Sequence, residues 1–242
     1  MSKKRPLIGI LLDYQEKSSF SARAHYALRS TYFDAVWNAG GLPIAIPYIE
    51  KATKNFLSRC DGVVLPGGSY PFPDNLYQHA TNPNQKKHPR FEFEFEFARH
   101  ALNAELPTLG ICAGMQIIAA TKGATFYSDV SVELPSNIDH LNACPAEQPA
   151  HHVEITPNTL LRKVLGVERL KVNTAHKEAI RDNYSGLVIS AHAPDGVIEG
   201  IEIAHHRFCV GVQWHPEFFA TKGNPNFNLF TALIAAAQGT DP

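Results

Sequence analysis

Two short segments of this chain carry residue types and spacings suited to nucleophilic attack on a carbonyl. In Leu109-Gly110-Ile111-Cys112-Ala113-Gly114-Met115-Gln116 a cysteine sits among small residues, with an apolar run before it and a helical pattern after it. G-x-C-x-G is the spacing of a nucleophile elbow, with Cys in place of the more familiar Ser. Such a turn exposes the nucleophile at the carboxyl end of a strand. The glycines let strand and helix approach without clashing Cβ atoms, and the helix N-terminus favours thiolate over thiol. The N–H of Ala113 is placed to donate to an oxyanion. A thiolate of this kind needs a histidine to hold and move the proton. The second segment, Val210-Gly211-Val212-Gln213-Trp214-His215-Pro216-Glu217, offers one. Proline pushes His215 into extended geometry, and residues two apart in an extended segment project to one side. Glu217 is then placed to fix the orientation and tautomer of the imidazole. Each segment alone has a plainer reading, a buried structural cysteine or a surface His-Pro-Glu turn; two independent halves of one chemistry favour the functional one.

The remaining candidates are weaker. Leu65-Pro66-Gly67-Gly68 ends a buried run in two glycines, whose bare N–H groups suit a second oxyanion donor, although most Gly-Gly pairs are only turns. Twelve histidines are present, so a histidine by itself proves nothing. Neighbours in a strand face opposite ways, so His151-His152 and His205-His206 are poor chelating pairs and read as surface or edge residues. His176 ends Val172-Asn173-Thr174-Ala175-His176, where a substrate contact and a satisfied structural histidine are equally good readings. The four cysteines, at 60, 112, 144 and 209, form no CxxC pair, which argues against zinc ribbons and redox dithiols. No metal site and no cofactor are expected.

These residues need elements to hold them. Leu7–Leu12, Pro43–Pro47, Gly62–Leu65 and Thr108–Ile111 read as short buried strands. Arg29–Ala39 and Ala113–Lys122 read as helices, each stopped by glycine. That alternation predicts an α/β fold with a parallel sheet. Beyond about residue 150, His152–Ile155, Leu170–Val172, Leu187–Ala191, Val197–Ile203 and Phe208–Gln213 are strand-like, with Asp195-Gly196 as a hairpin signal and a last helix over Asn226–Ala237. The alternating Phe91–Phe97 segment scores locally as a strand, but the α/β rhythm requires a helix before Thr108, and a helix is expected. Ser69–Lys87, rich in Pro, Asn and Gln, reads as the least ordered piece, a lid or substrate loop. With no repeat, low-complexity tract or long linker, residues 1–242 are expected to form a single domain.

Composition excludes several classes. An apolar fraction of 44% and a charged fraction of 19% fit an ordinary globular protein. A net charge of −1 supplies no basic field for nucleic acid or an anionic membrane. No stretch approaches the ~20 apolar residues that span a bilayer. The N-terminus lacks a secretory h-region and cleavage site. A cytoplasmic protein without a disulfide framework is therefore expected.

Over nearly its whole length the chain resembles the class I glutamine amidotransferase-like superfamily, and within it the γ-glutamyl-γ-aminobutyrate hydrolase group. The resemblance is carried by Pro6–Ile10, Ala39-Gly40-Gly41-Leu42-Pro43, Asp61–Gly68, Pro107–Gln116, Val172–His176, Ser190–Gly196 and Gly211–Glu217. The elbow and Trp-His-Pro-Glu mark the superfamily; Asn-Thr-x-His and Pro-Asp-Gly favour the hydrolase group. The resemblance implies a three-layer, flavodoxin-like, mostly parallel doubly wound sheet with an antiparallel extension and the site at the strand carboxyl ends. It implies attack of Cys112 on a γ-amide, an acyl-enzyme, and hydrolysis with His215 as acid and then base. Gly68 and Ala113 would form the oxyanion hole. Gly67, Gln116, Asn173, Thr174 and His176 would face a small γ-glutamyl substrate, and a homodimer is compatible with it.

Four substitutions separate the chain from that group: Ala113 for Arg, no acidic residue after Gly67-Gly68, Arg90-Phe91 for Arg-Asp, and His176-Lys177-Glu178 for His-x-Gln. By the resemblance all four are expected near the substrate side, which leaves the amine half of the substrate open. A glutaminase subunit that passes ammonia to a separate synthetase and a non-catalytic binding module are the competing readings.

Overall fold

Short apolar runs closed by Pro, Gly or Asp become the strands of one nine-stranded sheet in a computed structural model of the chain, which describes residues 4–77, 88–142, 144–182 and 186–242. The strands are β1 (Leu7–Leu11), β2 (Leu42–Ile46), β3 (Gly62–Leu65), β4 (Thr108–Ile111), β5 (His151–Ile155), β6 (Arg169–Val172), β7 (Leu187–His192), β8 (Ile198–Ile203) and β9 (Cys209–Val212). Their order is β2-β1-β3-β4-β9-β8-β7-β5-β6. From β2 to β9 every pairing is parallel, in the 2-1-3-4-5 order of flavodoxin-like sheets. From β9 onward the pairings are antiparallel, the expected extension.

Helices cover both faces. On one side α2 (Pro89–Asn103) and α3 (Ala113–Thr121) bury Phe97, Ala101, Met115 and Ile118 against Leu65 and Ile201. On the other, α1 (Ser30–Asn38), α4 (Leu160–Leu165) and α5 (Pro225–Ala237) bury Val36, Leu161, Phe230 and Leu233 against Ile8, Leu109 and Val210. Strands buried on both faces are why β3, β4 and β9 read as continuous apolar runs rather than alternating ones. No helix among the described residues is long and apolar enough to cross a membrane.

The alternating Phe/Glu segment is helical, as the α/β rhythm requires. Pro89 occupies the first turn, and the His88 side chain caps it by accepting the Arg90 N–H at 3.3 Å. Phe91 and Phe95 stack at 5.6 Å, Phe93 and Phe97 lie 5.8 Å apart, and Arg90 bonds Glu94 one turn on. The alternation arises because Glu94 is itself a core residue, fully buried with a cation beside it.

Two expectations change. The Ser69–Lys87 segment is anchored in its first half: Tyr70, Phe72 and Tyr77 are buried. Tyr70 donates to Glu94 at 2.8 Å and Tyr77 to Glu178 at 2.6 Å. Aromatics spaced without a period hid this in the sequence; residues 78–87 lie outside the described residues. His151, read as a surface or edge residue, is buried, because β5 is an interior strand held between β7 and β6.

Candidate active site

The cysteine stands where the elbow spacing puts it. Cys112 links β4 to α3 with φ 52° and ψ −111°, a conformation that costs a non-glycine residue about 1–3 kcal/mol. The neighbouring glycines are sterically required. A Cβ on Gly114 would lie 2.0 Å from the Leu65 carbonyl oxygen, and one on Gly110 2.7 Å from the Gly114 oxygen. The parallel pairing of β4 with β9 sets the Cys112 N–H against the Val212 carbonyl at 2.8 Å, so the two strands that lead to Cys112 and His215 are joined at the elbow. Ala113 opens α3, leaving its N–H among the unpaired donors of the helix N-terminus.

His215 and Glu217 meet by a different route from the one inferred. His215 has φ −111° and ψ 81°, short of the extended region, and Pro216 starts a single 3-10 turn, Pro216–Phe219, which brings the carboxylate back to the ring. His215 Nδ1 and Glu217 Oε1 are 2.8 Å apart and both side chains are buried. Asn173 clamps His215 from behind. Its Oδ1 accepts the His215 N–H at 2.9 Å, and its Nδ2 donates to the His215 carbonyl at 3.1 Å. The buried Trp214 indole anchors the same segment to Asn226 at 2.8 Å.

Gly67 is the point of convergence. A Cβ there would lie 2.6 Å from His215 Cε1, 3.1 Å from the Tyr32 hydroxyl and 3.2 Å from Cys112 Cβ. Only a glycine lets these three groups close around one turn. The Gly67 N–H donates to the Tyr32 hydroxyl at 3.0 Å, which leaves Gly68 as the free donor of the pair. Burial disfavours the His215 imidazolium, but the Glu217 carboxylate and Cys112 raise it to about 10. At neutral pH the ring is therefore a cation beside Cys112, the partner a thiolate needs. Burial, then the Glu217 charge, push the Tyr32 hydroxyl well above its ordinary value, so it remains a neutral donor and acceptor.

Behind Gly68 lies a residue whose part in the site was not legible in the sequence. A Cβ on Gly68 would lie 1.9 Å from Arg90 Nη1. The buried guanidinium donates to the Pro66 and Gly67 carbonyls at 3.2 and 2.9 Å, and to Glu94 and Asp13 at 2.6 and 2.7 Å. Arg90 thus holds the carbonyls of the Gly-Gly turn while two carboxylates balance its charge.

Cys112 opens into a cleft of about 390 Å³ lined by Gly68, Tyr70, Gln116, His176 and Glu178 among others. Gln116 donates to the Glu178 carbonyl and to Gln213 Oε1, both at 3.0 Å, so its side chain is fixed at the floor. Asn173 and Thr174, expected at the substrate, turn away from it. Asn173 is spent on His215, and the Thr174 hydroxyl donates to the His140 carbonyl at 2.8 Å. Their short polar side chains pair with backbone, a local competition that residue type alone does not reveal. Gly67 borders an adjoining cavity with Asp13 and Arg29 rather than the Cys112 cleft. Burial pushes the Glu178 carboxyl up to about 7, with the Tyr77 hydroxyl and Lys177 opposing it.

The other cysteines do not compete for the role. Cys60 and Cys209 are buried and unpaired, with burial raising the Cys60 thiol to about 11 and the Cys209 thiol further. Cys144 is exposed, away from the cleft.

The family model described as Peptidase C26 matches residues 6–217. The gamma-glutamyl-gamma-aminobutyrate hydrolase PuuD of Escherichia coli (strain K12) is 28% identical over 242 residues, covering 96% of this chain and 94% of its own. Protein NtpR of Enterococcus hirae is 32% identical over 208 residues, covering 84% and 86%. Among solved structures, the glutaminase domain of Trypanosoma brucei CTPS with bound acivicin shares the fold, with a TM-score of 0.64 at 18% identity over 98% of this chain and 95% of that one.

Proposed function

The chain belongs to the Peptidase C26 family, and from that premise we propose that it is a cysteine hydrolase that cleaves γ-glutamyl amides. The observation that carries the reading is the closure of Cys112, His215 and Tyr32 around Gly67, with Glu217 2.8 Å from the far side of the imidazole. The Cys112 thiolate adds to the amide carbonyl carbon, and the displaced electron pair settles on oxygen, facing the Gly68 and Ala113 N–H groups. The tetrahedral intermediate collapses as the C–N bond breaks, and the His215 imidazolium gives its proton to the departing amine nitrogen. This leaves a γ-glutamyl thioester and a neutral imidazole. Water then adds to the thioester carbonyl while His215 takes its proton, the C–S bond breaks, and glutamate leaves with the thiolate–imidazolium pair restored. Glu217 orients the ring and stabilises its charge throughout. The γ-glutamyl half is supported by the resemblance to the hydrolase group and by the Escherichia coli relative.

A panel of γ-glutamyl amides of amino acids, polyamines and ammonia, assayed for glutamate, tests this reading. Release from at least one is expected; no release from any of them overturns it. Glu178 gives the same panel a pH signature. Its carboxyl titrates near 7 on the cleft wall, and ionisation there favours a cationic amine half over an anionic one. The ratio of kcat/KM for a polyamine amide to that for an amino-acid amide should rise about 5–10-fold as pH climbs through that value, the scale of one partly screened charge pair. In Glu178→Gln the ratio should stay flat.

A further inference from the structure

Outside the Cys112 cleft, three histidines surround one carboxylate. Glu199, on β8, is fully buried, and neither of its oxygens has a hydrogen-bond partner. Around its Oε1 stand His140 Nδ1 at 3.3 Å, His176 Nε2 at 3.4 Å and His151 Nε2 at 3.5 Å. His140 Nδ1 and His176 Nε2 are themselves 3.2 Å apart. All three rings are buried, and His151 Nε2 has no hydrogen-bond partner either.

The outer nitrogens of the rings decide what the inner ones can be. His140 Nε2 faces the Asp195 carboxylate at 3.0 Å, His151 Nδ1 the His152 carbonyl at 3.0 Å, and His176 Nδ1 the Glu178 carbonyl at 3.0 Å. Carboxylate and carbonyl oxygens only accept, so each outer nitrogen carries the proton. In neutral rings every inner nitrogen is then a bare lone pair, and three lone pairs and an anion point at one another in a water-poor interior. Protonating all three rings would set three cations against the Glu199 and Asp195 carboxylates and leave a net positive charge buried. A dication held by the inner donors would satisfy every lone pair and the carboxylate at once.

We propose that His140, His151, His176 and Glu199 form a structural metal site for zinc or a similar borderline divalent ion. Ligand bonds of about 2.0–2.1 Å in tetrahedral geometry set donor atoms about 3.3–3.4 Å apart, and the four separations above, 3.2–3.5 Å, bracket that value. The second shell matches as well: one carboxylate and two carbonyls fix the tautomers of the three ligating rings. With four protein donors the site is closed, so its role is to hold structure rather than to activate water. It joins a loop residue (His140), the start of β5 (His151), the segment after β6 (His176) and β8 (Glu199). That segment also supplies the cleft wall at His176–Glu178 and the Asn173 clamp on His215. The four ligands come from separate segments with no short spacing, which is why no metal site was expected from the sequence.

The test is metal content of the whole chain, produced in zinc-supplemented medium, desalted and measured by plasma mass spectrometry. About one equivalent of zinc is expected in the unaltered protein and in Cys112→Ala, and a large loss in Glu199→Gln and in His151→Ala. Cobalt substituted into chelator-treated protein should give the visible bands of four-coordinate cobalt without thiolate charge transfer, a readout that needs no variant to fold. Unaltered protein that carries no zinc and takes up no cobalt overturns the site and leaves a proton-held cluster. Metal lost in Cys112→Ala, or thiolate charge transfer, overturns it by placing the ion on the cysteine.

Discussion

Cys112→Ala should lower kcat/KM for any cleaved γ-glutamyl amide by about 10⁴-fold or more, since removing the nucleophile of such a unit removes nearly all of what the unit contributes. Folding should hardly register the change. The Sγ fills little core volume, and alanine inherits the same φ of 52°. Cys112→Gly separates the strain from the chemistry. Glycine adopts that φ freely, but it loses more chain entropy on folding, so relief of about 1–3 kcal/mol is offset by about 0.5–1. The expected variant is inactive yet more stable by about 1 kcal/mol, read by chemical denaturation. A Cys112→Gly chain less stable than Cys112→Ala would show that the elbow is not strained. The pH profile carries the other half of the argument. The raised His215 value means that its proton, and so the acid for the leaving amine, persists until pH passes about 10. In a Glu178→Gln background, which removes the titration near 7, the alkaline limb of kcat/KM, which reports the free enzyme, should fall there and not earlier. Glu217→Gln removes the largest favourable charge and should pull that limb downward; an unmoved limb would mean that Glu217 does not support the imidazolium.

What the sequence disclosed and what it withheld divide along sequence separation. The elbow is a local turn, five residues with two steric glycines, and its backbone geometry was legible in the sequence. The buried parallel strands agree with the structure to within one residue at either end, because they are unbroken apolar runs closed by turn residues, whereas the Phe/Glu helix starts two residues earlier, at Pro89, and the short helix Leu160–Leu165 was not anticipated. His215 and Glu217 were paired correctly through the wrong geometry: proline fixed the neighbour of the turn, but the 3-10 turn itself had no unambiguous signature. Asn173 was assigned to substrate and instead clamps His215, because an amide's partner is decided by whatever backbone arrives from β9. His151 was judged by its neighbour in sequence, whereas its company is His140 and Glu199. Charged and polar core residues are the least legible class, since each depends on a partner many residues away.

Arg90 is the clearest case, and its removal should carry the largest structural penalty. Arg90→Met keeps the stem and deletes the guanidinium. Glu94, fully buried, then keeps, among the described residues, the Tyr48 and Tyr70 hydroxyls, and Asp13 loses its buried partner. Breaking one side of a buried ion pair typically costs about 3–5 kcal/mol, which for a chain of this length is a fall in Tm of about 10 °C. The pair need not be worth that much net; the cost comes from stranding the carboxylate, so Glu94→Gln in the same background should recover a substantial part of it. Catalysis should suffer separately. Without the guanidinium the Pro66 and Gly67 carbonyls lose their donor, the Gly68 turn is free to shift, and misplacement of this order costs about 10²-fold in kcat. Arg90→Lys isolates that effect, because an ammonium restores charge beside Glu94 but cannot fork to two carbonyls and two carboxylates. The expected pattern is a Tm mostly recovered in Arg90→Lys and a kcat still depressed with KM little changed. A kcat that recovers in step with Tm would reduce Arg90 to a core ion pair with no part in positioning the turn.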